Sequence, residues 1–330
     1  MIQRTFLFVI AFWFIATGVH AQKNTSVSPD TLPVEYRLHY TNSIFNSIEQ
    51  NPAYAGAAQQ SVFKTGFEYN MPFLAVQEGM HYPFAASVSY DGYIGKKKNF
   101  GIGSSILYTS EPFKFTEQAL LAFNYRFKLG KFSKLRVGLS LIGFTGGTDF
   151  NAIHFPDEYN YHQGHVYQTS EEYPGSSGYS NVNFGAGLFY TRKLLWAGFS
   201  VANLTEPEVR YFSLSRIPRV YYASVGNTFR LRKEVSVIPS VNFTYKNKDI
   251  LVMPSVMASW KNMLGAGISM QNVDFFYARL AFNFFEHIAL EGFMEIPLKS
   301  TVRNGFGWLT SVGGSLKYSF AGNKNLTIIR

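Results

Sequence analysis

The sequence predicts an all-β fold, a transmembrane antiparallel β-barrel of about 14 strands with an N-terminal arm or plug. Three observations predict it. Strand-length stretches in which apolar residues alternate with small or polar ones recur from Ser61 to Phe320, and such alternation gives each strand one greasy and one polar face. The connections between the stretches sort by parity into long and short, and an export signal precedes them all.

Met1 to Ala21 carries a positive n-region at Arg4, an apolar core from Phe6 to Ile15 and a small-residue cleavage site at Val19, His20 and Ala21, the anatomy of a secretory signal peptide. Residues 22–60 contain Pro29, Pro33 and Pro52 and lack sustained alternation, which assigns them to a periplasmic N-terminal arm or a plug. Within a barrel domain at 61–320, strands are predicted at 61–70, 82–91, 99–110, 117–129, 134–145, 180–191, 194–202, 219–232, 234–246, 249–260, 262–271, 273–285, 287–297 and 308–320. The clearest sets Ala119, Leu121, Phe123, Tyr125, Phe127 and Leu129 against Leu120, Ala122, Asn124, Arg126 and Lys128. A C-terminal tail, 321–330, follows.

The first, fifth, seventh and thirteenth connections are the long ones, spanning Met71 to Met80, Gly146 to Tyr179, Asn203 to Pro218 and Leu298 to Gly307. Odd-numbered connections all lie on one side of a barrel, and bacterial barrels put long loops outside and short turns in the periplasm. A soluble sandwich has no reason to sort its loops this way. Among the even-numbered turns, Gly92 to Lys98 is the long exception.

Aromatic residues are 17% of the chain, with 32 Phe and 21 Tyr, and charged residues only 15%, against about 25% in an average soluble protein. Lipid-facing bands and aromatic girdles use rings and spare charges in this way. No stretch after residue 21 reaches the length of apolar sequence that a membrane helix needs. Without cysteine the chain has no disulfide, no thiolate metal site and no acylated lipoprotein anchor. The formal charge is +9, of which the signal segment carries +1 in Arg4. The positive residues are scattered rather than gathered, so nucleic acid is not an expected partner, and Lys96, Lys97 and Lys98 sit in a turn.

Two clusters were candidates for chemistry. Asp149, Asp157, Glu158, Glu171 and Glu172 accompany His154, His162 and His165 in the long fifth connection, but their spacing fits no metal motif. His287, Glu291 and Glu295, with Arg279, are predicted on the inner face; there is no Gly-x-Ser-x-Gly elbow, and a charge-paired lumen wall explains them. No catalytic, metal or cofactor-binding residue is assigned, and an enzyme is not the reading. Gly101, Gly103, Gly185, Gly187, Gly265, Gly267 and Gly313 lie on inner strand faces. That invites a closely approaching plug or partner chain, or sharp barrel curvature.

The specific motif is Asn51-Pro52-Ala53-Tyr54-Ala55-Gly56, just before the first strand. Asn and Pro favour a turn, Tyr54 offers an amphipathic anchor, and Gly56 permits a tight turn back into the strand. With its surroundings the motif resembles the start of the PorP/SprF family of type IX secretion membrane proteins. Further resemblance lies in Ser89-Tyr90-Asp91, Phe100-Gly101-Ile102-Gly103, Asn181 to Tyr190, Ala197 to Val201, Leu204 to Pro207 and Ile217 to Tyr222. The approach to the last strand departs from the family pattern at Trp308-Leu309-Thr310-Ser311, as does the tail after Phe320. The resemblance implies an outer-membrane component of type IX secretion, and of gliding motility in bacteria that glide. It implies periplasmic machinery components and a secreted surface protein or adhesin as partners beside outer-membrane lipid, with residues 51–56 as the partner-binding signature. Shape alone offers an outer-membrane channel or hydrophobic-substrate transporter as the alternative.

Overall fold

The computed structural model describes residues 47–57, 60–70, 83–95, 98–111, 114–148, 178–210, 214–232, 234–261, 263–272, 274–284, 287–298 and 311–320. Residues 1–46, which include the predicted export signal and most of the predicted arm or plug, the acidic stretch at 149–177 and the tail at 321–330 lie outside the described residues.

A one-turn helix, α1 (Ser47–Gln50), and a 3-10 turn (Pro52–Tyr54) precede β1 (Val62–Asn70), β2 (Phe84–Ile94), β3 (Phe100–Ser110), β4 (Lys114–Lys128), β5 (Ser133–Thr148), β6 (Tyr179–Arg192) and β7 (Leu195–Ala202). A small hairpin, β8 (Glu208–Arg210) with β9 (Leu214–Arg216), stands in the seventh connection. Then come β10 (Val220–Asn227), β11 (Phe229–Arg230), β12 (Val235–Lys246), β13 (Asp249–Trp260), β14 (Leu264–Gln271), β15 (Phe275–Asn283), β16 (Ile288–Pro297) and β17 (Ser311–Ser319). Neighbours pair antiparallel around the wall, and β1 pairs with β17, from Val62 opposite Ser319 to Asn70 opposite Ser311. β10 and β11 are one strand interrupted at Thr228, both laddered to β12, so the sheet closes as fourteen strands. Closure leaves no edge, which satisfies the backbone without water.

The faces are inverted relative to a soluble protein. Phe123 and Leu139 point outward at 53% and 64% exposed, while Asn124, Arg126 and Arg136 point inward at 5%, 6% and 4%. Polar side chains are buried and large apolar ones exposed because the outer solvent is hydrocarbon. The period-2 pattern produces this directly: β4 alternates buried and exposed from Leu120 to Phe127.

All fourteen predicted strands are present, with ends displaced by a few residues. One turn needs correction. The turn expected from Gly92 to Lys98 is shorter, because β2 continues to Ile94 in register with β3, Asp91 opposite Gly103 and Ile94 opposite Phe100. Gly92 leaves room for side chains: a Cβ there would sit 2.5 Å from the Tyr90 hydroxyl and 3.1 Å from Ser61 Oγ. A Cβ on Gly56, whose φ is +62°, would collide with the Gly92 carbonyl.

Candidate functional site: an N-terminal segment on the inner wall

Successive register pairs set Gly101 beside Asn124, Asn124 beside Gly138, Gly138 beside Gly187, and Gly187 beside Ser200. These five residues form one inward-facing row across β3 to β7, three of them without a side chain. The row is a shallow track, and residues 47–57 lie along it. A Cβ added at Gly138 would sit 2.6 Å from the Ala53 nitrogen and 2.7 Å from the Pro52 carbonyl carbon. At Gly187 it would sit 2.9 Å from Asn51 Cγ, and at Gly103 3.2 Å from Ala55 Cβ.

The segment's own residues explain its local shape. Asn51 Oδ1 accepts from the Ala53 amide at 2.9 Å, an Asx cap on the 3-10 turn, with Pro52 at the first turn position where no amide donor is needed. The other side of the Asn51 amide faces the wall, where Nδ2 donates to the carbonyls of Leu188 at 3.0 Å and Phe199 at 3.3 Å. Tyr54 places its ring edge-on to Phe189, centroids 4.7 Å apart, and its hydroxyl 2.5 Å from Ser224 Oγ. Burial pushes the Tyr54 hydroxyl up from its ordinary 10.0 to about 12, against the opposing pull of hydrogen bonds with Ser224 and Asn51.

Wall side chains hold the segment's main chain. Asn124 Nδ2 donates to the Pro52 and Ala55 carbonyls at 3.1 and 2.7 Å, and Ser200 Oγ to that of Gln50 at 2.5 Å. Arg136 donates to the Ala55 carbonyl at 3.2 Å, the Gly56 carbonyl at 2.8 Å and Asn124 Oδ1 at 2.8 Å. The Gly56 amide donates to Asp91 Oδ1. Bonds from an ionised donor are the strong class, so Arg136 is the principal clamp at the segment's C-terminal end.

The six signature residues are thus together and packed against the inner wall. Asn51 is 2% exposed, and Ala53 and Ala55 are 0% exposed. Sequence reasoning missed Arg136, Gly138, Gly198 and Ser224 as their partners, since each reads as an ordinary inner-face residue of its strand. The glycines divide between the two explanations offered for them. Gly101, Gly103 and Gly187 face the segment, whereas Gly185, Gly267 and Gly313 meet side chains or backbone of neighbouring strands.

The other candidate cluster does not assemble. Arg279 and Glu291 form an ion pair at 3.1 Å on the inner wall, while His287 Nδ1 lies 2.6 Å from the Ser319 carbonyl and its ring stacks on Tyr318. Four residues of strand separate His287 from Glu291, about 13 Å. Among the described residues no group of three His, Asp or Glu could hold a metal ion. The acidic and histidine-bearing loop lies outside the described residues, as do Lys96 and Lys97; Lys98 sits 4.2 Å from the centroid of the Tyr93 ring.

A closed barrel with an apolar outside, a polar inside and its own N-terminal segment seated on the inner wall defines an integral protein of the bacterial outer membrane. The chain belongs to the family of type IX secretion system membrane proteins, PorP/SprF, which it matches over residues 34–309. The match takes in the Asn51–Gly56 motif and ends where the sequence departs at Trp308 to Ser311. A comparison with curated proteins finds no match. Among solved structures the chain is similar to the Ralstonia pickettii toluene transporter TbuX, at 10% identity and a TM-score of 0.49, over 83% of this chain and 92% of that one. It is also similar to the CymD monoaromatic hydrocarbon channel, at 10% identity and 0.49 over 84% and 93%. A Pseudomonas aeruginosa FadL homologue is similar at 13% identity and 0.43 over 84% and 94%. Likeness of this degree carries nothing about what these lumens pass.

Proposed function

We propose that this outer-membrane barrel helps the type IX machinery export or anchor a surface protein, and that it acts by binding polypeptide rather than by catalysis. Family membership across residues 34–309 carries the reading. The glycine row and inward Asn124, Arg136 and Ser200 already hold the main chain of residues 50–56, so a partner meets the lumen as the seated segment leaves it. The partners are periplasmic components of the machinery and a secreted surface protein or adhesin, with gliding motility as the setting where the host glides. The contribution of Asn51, Pro52, Ala53, Tyr54, Ala55 and Gly56 to partner binding is indirect: their hydrogen bonds are spent on the wall, and they set which lumen groups a partner meets.

The test is mass spectrometry of proteins co-purifying with the tagged barrel from outer membranes, beside a variant lacking Asn51 to Gly56 that still inserts. Recovery of a large surface protein or machinery components, reduced in the variant, is the expected result. Recovery of neither, from a barrel that conducts ions in planar bilayers, would replace this reading with a channel or hydrophobic-substrate transporter.

A further inference from the structure

The even-numbered turns lie at the periplasmic end of the wall, and two of them touch. The chain turns through Leu129 to Phe132 between β4 and β5, and through Lys193 and Leu194 between β6 and β7. The Lys193 amide donates to the Phe132 carbonyl at 3.2 Å. The Phe132 ring, 52% exposed, carries two cations: Lys131 Nζ lies 5.5 Å from its centroid and Lys193 Nζ 5.2 Å, both within cation–π reach. Lys193 stands at φ +53°, a left-handed conformation that glycine or asparagine takes at lower cost. Among the described residues no acid forms an ion pair with Lys131, Arg192 or Lys193, and Glu234 of the next periplasmic turn is engaged by Lys261 at 3.7 Å. Two ammonium groups drawn to one ring repel each other until an anion joins them.

This cluster opens toward lipid. Parity sets Phe184, Leu188, Tyr190 and Arg192 on one face of β6. Phe184 and Leu188 are exposed, so Arg192 ends a row that faces hydrocarbon. Ser133 lies opposite Arg192 in the ladder, and its Oγ accepts from the Tyr190 hydroxyl at 3.3 Å, which puts both on that face. Val137 and Leu139 continue the face along β5. From the bilayer interior outward the order is aliphatic side chains, then a phenol and a hydroxyl, then three cations. A phospholipid has the matching order from its acyl chains to its phosphate. Turns of four and two residues hold the cations at the level of the headgroups, and Arg192 on the side of the wall, where a periplasmic protein would not meet it.

We propose that this site binds an anionic phospholipid of the inner leaflet, its phosphate held by Lys131, Arg192 and Lys193 and its acyl chains lying against Val137 and Leu188. The barrel then has one preferred lipid position on its wall and one preferred sign of headgroup, whatever its role in secretion.

Native mass spectrometry of the full-length barrel, titrated in detergent with phosphatidylglycerol or with phosphatidylcholine, tests the site. Basic side chains at a membrane surface favour anionic lipid by about fivefold each, so the unaltered protein is expected to hold phosphatidylglycerol about tenfold or more tighter. Lys131→Gln, Arg192→Gln and Lys193→Gln together should abolish that preference, and Lys131→Arg with Lys193→Arg should keep it. Arg216→Gln, Lys246→Gln and Lys248→Gln remove the same charge from the outer end and should leave it unchanged. Equal retention of the two lipids by the unaltered protein, or a loss as large in the outer-end variant, would overturn the proposal. So would a photo-crosslinker at Phe132 that captures a periplasmic protein in intact cells and no phospholipid.

Discussion

Asn51 joins two jobs in one amide, capping its own turn through Oδ1 and fastening the turn to β6 and β7 through Nδ2. Asn51→Ala removes both and is expected to weaken docking by about 2–3 kcal/mol, from the cap and two hydrogen bonds. Asn51→Asp keeps the cap but turns an anion toward two carbonyl oxygens, and should weaken docking at least as much. Hydrogen exchange at the Ala53 and Tyr54 amides reads both, since undocking need not unfold the barrel. Gly138→Ala pushes a methyl group against the backbone of Pro52 and Ala53, where nothing can rotate away, whereas Gly143 on the same strand has open space. The first should loosen the segment by about 1–3 kcal/mol, and Gly143→Ala should leave protease cleavage of the segment unchanged. Tyr54 sets a pH limit. Because its pKa is raised in the docked state, the released segment loses the proton first, between about 10 and 12, and docking weakens as pH rises through that window. It should be flat below pH 10. Tyr54→Phe should remove the high-pH loss, and the phenolate absorbance that disappears with it should be the one titrating near 12.

The strands were legible because each repeats a two-residue alternation many times, and the inward or outward fate of Phe123, Asn124 or Leu139 follows from parity alone. The segment was legible only as a motif. Its turn chemistry is local, but its destination depends on Asn124, Arg136, Phe199 and Ser224, which lie between 69 and 170 residues away from the groups they touch. No local pattern encodes contacts of that range. The inward glycines were the available signal, and only register, which aligns Gly101, Gly138 and Gly187 in one row, separates those that make room for the segment from those that accommodate neighbouring strands. The Gly92 turn was misread for the same reason, since a glycine that marks a turn and one within a strand that leaves room for a neighbouring side chain, here Tyr90, look alike in sequence.

For the whole molecule, the lipid-facing surface is the part most exposed to a wrong solvent. Phe123→Arg near the middle of β4 should destabilise the barrel by about 2–4 kcal/mol, as a cation at the bilayer midplane does, measured by urea unfolding in lipid vesicles. Arg126, two residues along but facing inward and bonded to Asn99 at 2.8 Å, shows that the same side chain is tolerated on the other face. The seat of the N-terminal segment also bears on biogenesis. Residue 51 leaves the ribosome before every strand of the barrel, yet one of its bonds is to Phe199, 148 residues later, so synthesis order and folding order are reversed. The seat of Asn51 is therefore complete only once β7 has joined the sheet, and contacts that close so long a stretch of chain form slowly.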